Sequence, residues 1–164
     1  MAKKEGIRKL FDNIAGDYDR LNHILSLNID KSWRRKAVKE IADTAEPLNI
    51  LDEACGTCDF TIEIAKGAPQ GSKVTGIDLS EGMLQIGREK CRKEGITAEL
   101  QTGDCEAMPY DEGTFDRIGV AFGVRNFENL PKGLTEMHRA LKSQGKLVIL
   151  ELSIPRNPII RWCY

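Results

Sequence analysis

Between residues 48 and 78 two short apolar runs each end in an acid. The run Leu48-Asn49-Ile50-Leu51 stops at Asp52, a small-residue loop follows, Phe60 to Lys66 is helix-compatible, and the run Val74-Thr75-Gly76-Ile77 stops at Asp78. Short apolar runs around an amphipathic segment predict one β-α-β unit with buried parallel strands. Upstream, Ile7, Leu10, Phe11, Ile14, Tyr18, Leu21 and Leu25 share one helical face and predict a cap or lid helix. Asp30 is placed to N-cap a second helix over Ser32 to Ala42, with Trp33, Ala37, Val38 and Ile41 as its apolar stripe, and Pro47 separates it from the first strand. Downstream the pattern predicts a helix to Lys93 closed by Gly95, a strand over Ile96 to Gln101, another over Phe115 to Ala121, a helix from Leu134 to Lys142 closed by Gly145, and a fifth, buried strand over Lys146 to Leu152. Alternating strands and helices mean a doubly wound, mostly parallel α/β sheet. The expected organisation is one compact unit, with cap helices over 1–45 and the α/β domain over 46–164, and without repeat, low-complexity tract or linker.

In such a sheet ligands bind beyond the carboxyl ends of the strands, so Asp52, the loop and Asp78 should meet in one crevice. An acid ending the second strand can accept both hydroxyls of a ribose, and the unit reads as a nucleoside-binding half. The loop also holds Cys55-Gly56-Thr57-Cys58, a C-x-x-C spacing ahead of a helix that keeps a thiol redox reading open. A metal site would want a second ligand pair, and none is visible, so no metal is expected. Five cysteines, at 55, 58, 91, 105 and 163, argue for reduced thiols rather than a disulfide framework. A net charge of -1 disfavours a general nucleic-acid binder, although the first 36 residues carry nine Lys or Arg against five acids and would suit an anionic membrane surface. No apolar run approaches the length of a membrane span and no signal peptide opens the chain, so a cytoplasmic location is expected, peripheral to the inner membrane at most.

Beyond this pattern, the chain resembles the class I S-adenosylmethionine-dependent methyltransferases, and more narrowly the ubiquinone/menaquinone biosynthesis C-methyltransferase family. The broader likeness rests on Leu51-Asp52 with Ala54-Cys55-Gly56-Thr57, Gly76-Ile77-Asp78-Leu79-Ser80 with Met83-Leu84, Gly103 to Pro109, and Thr114-Phe115-Asp116. The narrower one rests on Phe11 to Ala15, Tyr18 to Asn22, Trp33 to Lys36 and Phe122-Gly123-Val124-Arg125-Asn126-Phe127. The resemblance implies a Rossmann-like methyltransferase sheet and S-adenosylmethionine as cofactor. Asp52 would belong to its site, Gly56 and Thr57 would face the methionine part, Asp78 the ribose, Asp104 and the Cys105 backbone the adenine, with Ala121 on the crevice floor. The substrate implied is a prenylated demethylquinol, a menaquinone or ubiquinone precursor, methylated on a ring carbon. Arg125 and Asn126 are the catalytic candidates, by electrostatic stabilisation or by polarising a water, since an arginine is a poor proton acceptor. Tyr18, His23 and Phe122 would line the quinol pocket.

Two departures from the family pattern carry expectations. Cys58 stands where the pattern has a third loop glycine, and a non-glycine residue held at positive φ costs roughly 1 to 2 kcal/mol. The family continues past Tyr164, so the last strands of the sheet are expected to be missing, leaving an open edge that invites self-association into a homo-oligomer. The alternatives are a binding-only remnant of the fold, the thiol redox protein through Cys55 and Cys58, and a nicotinamide-dependent oxidoreductase, the last disfavoured because the loop lacks G-x-G-x-x-G. The Trp33-Arg34-Arg35-Lys36 cluster reads as a solvated helix face with some affinity for anionic lipid, and His138 as a surface or packing residue.

Overall fold

The computed structural model describes residues 2–25 and 29–152, the side chains of residues 2, 3, 17 and 20–25 lying outside the described ones. Five strands form one parallel sheet: β1 (Asn49–Glu53), β2 (Lys73–Asp78), β3 (Glu99–Thr102), β4 (Phe115–Ala121) and β5 (Leu141–Leu150). Their order is β3-β2-β1-β4-β5, so the winding reverses between β1 and β4. Leu51 pairs with Thr75 on one side and with Ile118 on the other, which makes β1 the centre of the sheet.

Alternation along β1 sends Ile50 to one face and Leu51 to the other, and each face has its own core. Ile50 packs with Ala37, Val38 and Ile41 of α2 (Ile29–Ile41) and with Phe60 and Ile64 of α3 (Asp59–Gly67). Cys58, Ile62, Leu84 and Cys91 continue that side under α4 (Glu81–Lys93). Leu51 packs with Ile77, Ile118 and Val120, and with Met137 and Ala140 of α5 (Leu130–Ala140). The long first helix, α1 (Ala2–Leu25), packs mainly on α4. Local capping sets two helix starts: Ser80 accepts from the Met83 N–H at 3.1 Å, and Asn129 from the Lys132 N–H at 3.1 Å.

The doubly wound architecture and the β4 span agree with the sequence pattern, while other expectations need correction. Asp30 lies inside the first turn of α2 rather than capping it. The helix expected from Leu134 starts at Leu130, because Asn129 and Pro131 set its head by capping rather than by apolar period. It ends at Ala140, and Gly145 falls in the irregular start of β5, where Leu141 pairs with Phe115 and Lys146 with Arg117. β3 starts at Glu99, not Ile96. β5 is not a buried strand: it pairs with β4 alone among the described strands and leaves Ile149 45% exposed. Among the described strands, β3 and β5 are the two edges of the sheet.

Candidate functional site

The site is assembled at the carboxyl ends of β1, β2 and β4, where the winding reverses. Three non-glycine residues there have positive φ: Ala54 (53°) after β1, Cys58 (67°) at the head of α3, and Phe122 (59°) after β4. Such conformations persist only where the surroundings over-determine them, and they mark ligand sites. Gly123 allows a close approach of two of these loops, since a Cβ there would stand 2.7 Å from the Ala54 Cβ.

Asp78 ends β2 with its carboxylate held from two sides. Its Oδ2 accepts from the Gly56 N–H at 2.8 Å, and its Oδ1 from the Ser80 N–H at 2.8 Å. Burial raises its pKa, and these two N–H groups oppose the rise. The carboxylate is thus fixed against the loop after β1 and keeps lone pairs for further donors.

Asp52 is 1% exposed; its Oδ2 accepts from Thr61 Oγ1 at 2.5 Å, while its Oδ1 is buried without a partner among the described residues. Burial pushes its pKa up to about 7, against the Thr61 hydrogen bond and the attraction of Arg34. The next residue, Glu53, is fully buried on the opposite face with both carboxyl oxygens unpartnered among the described residues, and burial pushes it up to about 9. For Glu53 a neutral acid is the physical answer to burial of this kind.

A cleft of about 700 Å³, counted to its open mouth, is lined by Tyr18, Gly56, Asp78, Asp104, Cys105, Ala121, Phe122 and Asn126 of the expected residues, and also by Lys4, Phe11 and Glu106. A second pocket of about 370 Å³ shares Tyr18, Gly56, Ala121 and Phe122 with it and adds Asp52, Thr57, Arg34 and Asp59. Arg125 lines neither: it is 2.6 Å from Glu151, with its guanidinium 5.9 Å from the centre of the Phe122 ring. The side chain of His23 lies outside the described residues.

Sequence reasoning did not anticipate how α1 straps this cleft. Lys4 Nζ reaches Asp104 Oδ2 at 2.7 Å and Glu106 Oε2 at 2.9 Å. Asp12 accepts from Ser80 Oγ at 2.5 Å and from the Gly82 N–H at 3.2 Å, and Asp19 accepts from Thr57 Oγ1 at 2.5 Å and from Lys90 Nζ at 2.6 Å. Positions 4, 12 and 19 recur at about two helical turns, so one face of α1 touches three loops. Only that spacing, in polar residues, could have signalled the strap. Glu106 is also a support, since its Oε1 accepts from the N–H groups of Glu128 (2.7 Å) and Asn129 (3.0 Å).

Arg34 corrects the reading of its cluster as a solvated face: it is 7% exposed, 2.5 Å from Asp30 and 3.5 Å from Asp59. The C-x-x-C thiols are not poised for redox chemistry. Hydrogen bonding to Cys58 and burial push Cys55 well up, whereas the attacking thiol of a reactive dithiol needs a lowered value. No helix among the described residues is long and apolar enough to cross a membrane.

The chain matches the ubiE/COQ5 methyltransferase family over residues 1–164. It is 50% identical over 155 residues to a demethylmenaquinone methyltransferase of Bacteroides fragilis, covering 93% of this chain and 62% of that one. It is 44% identical over 164 residues to a ubiquinone/menaquinone biosynthesis C-methyltransferase of Geotalea uraniireducens, covering 99% and 69%. The chain thus spans less than two thirds of the length of the Bacteroides relative. A SAM-dependent methyltransferase from Aquifex aeolicus superposes with a TM-score of 0.67 at 24% identity, over 76% of this chain and 66% of that one, a likeness of fold.

Proposed function

The chain belongs to the ubiE/COQ5 methyltransferase family, and from that premise we propose that it binds S-adenosylmethionine in the switch-point cleft and methylates a ring carbon of a demethylated prenyl-quinol. The single observation that carries this reading is Asp78: a carboxylate ending the second strand, pinned by the Gly56 and Ser80 N–H groups and turned to a cleft large enough for a nucleoside. The residues fit the group. A sulfonium compound with an amino-acid end is a net cation, and Asp52, Asp59, Asp78, Asp104 and Glu106 line the two pockets against Arg34, Lys4 and Arg8.

The cofactor, when bound, supplies an electrophilic methyl group on a positively charged sulfur. Transfer would join that methyl to the ring carbon at the expense of its bond to sulfur, leaving a neutral thioether, and the ring carbon's proton would pass to solvent. Asp78 would accept the ribose hydroxyls, each such charged hydrogen bond being worth roughly 1.5 to 3 kcal/mol. Asp104 and the Cys105 N–H would read the adenine once Lys4 gives up its contact with Asp104. Phe11, Tyr18 and Phe122 would wall the quinol ring and exclude water. Alignment of this kind can lower a barrier by about 7 to 11 kcal/mol.

The phenolic proton is the other requirement, since its loss pushes electron density onto the ring carbon. Asn126 lines the cleft and would hold a water there as acceptor. Arg125 would act from the rim, stabilising the developing phenolate through space or by exchanging Glu151 for it. A prenyl tail would bring the protein to the membrane surface while the ring is bound, with the basic first helices facing anionic lipid.

The test is calorimetric titration with S-adenosylmethionine and, in parallel, NADH, followed by transfer of labelled methyl to demethylmenaquinol in detergent. Micromolar binding of the first alone, with label in the quinol, is the expected result. A folded chain that binds NADH and not S-adenosylmethionine would overturn the reading.

A further inference from the structure

Three helices, α2, α3 and α4, frame a groove of about 770 Å³, counted to its open mouth, that shares only Arg34 and Asp59 with the two pockets described above. Five cationic side chains line it against three acids. Each acid is already engaged: Asp59 with Lys90 and, at 3.5 Å, with Arg34; Glu94 with Lys66 at 2.9 Å; and Glu63 with the charge of Lys66. Lys90 is drawn in addition to Asp19 of α1 at 2.6 Å. Lys31 and Lys93, both exposed, have no carboxylate partner among the described residues.

Helix electrostatics account for only part of this arrangement. Lys66, Lys90 and Lys93 stand in the last turns of α3 and α4, where a cation meets the negative end of the helix dipole. Lys31 stands in the first turn of α2, where the dipole opposes a cation, and its neighbour Asp30 is bonded to Arg34 instead. Cations gathered along a concave wall repel one another and raise the local concentration of anions. The donors come from three helices rather than from one plane, which suits a tetrahedral oxyanion better than a flat carboxylate. The buried Arg34 guanidinium holds Asp30 and Asp59 through Nη1, so the rest of its fork keeps donors for phosphate oxygens, and the lysines add point charges at the rim. We propose that the groove between α2, α3 and α4 is a phosphate-binding site, in which Lys31 and Lys93 take a phosphate group against the inner wall formed by Arg34. The site goes beyond the methyltransferase reading and does not depend on it. Its phosphate comes either from a soluble phosphate compound or from the headgroup of an anionic lipid.

The experiment uses two probes on the unmodified chain at fixed ionic strength: pyrophosphate, by calorimetry, and phosphatidylcholine vesicles with and without phosphatidylglycerol, by co-sedimentation. The groove variant is Lys31→Gln/Lys93→Gln, which strands no acid. Its control is Lys39→Gln/Lys73→Gln, which removes the same charge from exposed positions outside the groove. The groove variant should bind pyrophosphate, or the phosphatidylglycerol vesicles, roughly three- to thirtyfold more weakly than the unmodified chain, while the control loses less than about twofold. A loss seen with pyrophosphate assigns a soluble phosphate, and a loss confined to the vesicles assigns a lipid headgroup. Equal losses in the two variants would overturn the site in favour of diffuse charge, and so would failure of the folded, unmodified chain to bind either probe. S-adenosylhomocysteine affinity should be the same in all three proteins. Its absence throughout would overturn the cofactor reading and leave the phosphate site standing.

Discussion

Cys58 offers the sharpest test of how the loop after β1 is built. Its backbone sits at φ 67° and ψ 20°, its side chain is fully buried, and its Sγ fills the space over Gly87, where a Cβ would stand 2.3 Å away. Two substitutions pull in opposite directions there. In an ordinary core position Cys58→Val, a near-isosteric apolar swap, would cost less than about 1.5 kcal/mol. At this φ a β-branched residue is a genuine outlier, and crowding against Gly87 adds about 1 to 3 kcal/mol, so a loss of about 3 kcal/mol is expected. Cys58→Gly forfeits about 1 to 1.5 kcal/mol of burial and about 0.5 to 1 of chain entropy, but releases about 1 to 2 kcal/mol of left-handed strain, for a net loss of at most about 1.5 kcal/mol. Urea unfolding of the two variants beside the unmodified chain measures the difference, which in a thermal scan corresponds to a Val variant melting several degrees below the Gly variant. A Val variant at least as stable as the Gly variant would refute the reasoning, because it would mean that packing, not backbone conformation, governs position 58.

Glu53 makes stability depend on pH in an unusual sense. Burial holds its folded pKa near 9 against an ordinary 4.5, so between those values the folded chain binds the extra proton and stability falls as pH rises, by up to about 1.4 kcal/mol per unit; Asp52, held near 7, adds to the fall only at lower pH. Glu53→Gln should therefore flatten urea-derived stability above about pH 7, and an unchanged slope there would exclude Glu53 as the titrating group. Glu106→Ala leaves the N–H groups of Glu128 and Asn129 without their acceptor and should cost about 1 to 3 kcal/mol; hydrogen exchange should quicken at those two amides and not at Ile50, and uniform quickening would count against a local role. Lys4→Met removes a part-exposed ion pair with Asp104, and S-adenosylhomocysteine affinity should rise about two- to fivefold as the adenine no longer displaces it. A fall in affinity would show that Lys4 belongs to the bound state.

What was legible in the sequence follows the reach of each physical signal. β4 was read to the residue because its apolar positions, Phe115, Ile118, Val120 and Ala121, lie between turn residues, and Asp52 and Asp78 stand near the carboxyl ends of β1 and β2, as the strand pattern predicts, although they line separate pockets. The start of α5 was missed by four positions since the apolar stripe begins at Leu134, while the helix begins where Asn129 can cap it. Arg34 was misassigned for a different reason. Its spacing from Asp30 is a visible i,i+4 pair, but its burial depends on Asp59 and Phe122, which arrive from α3 and β4. Lys4 and Asp104 stand 100 positions apart, and no period of 2 or 3.6 connects them.

The three strained residues and the α1 strap bear on one another. Ala54, Cys58 and Phe122 are held at positive φ by groups that converge from several elements: the Gly56 N–H bonded to Asp78, Thr57 bonded to Asp19, and Gly123 seated against Ala54. Two of those restraints come from groups the sequence assigns to ligand binding, and one comes from α1. A ligand that engages Thr57 must therefore compete with Asp19 for its hydroxyl, while one that takes the remaining lone pairs of Asp78 adds to the hydrogen bonds that hold the loop. Binding, packing of α1 and stability of the loop are thermodynamically linked through those shared groups, and within each pair the coupling is reciprocal.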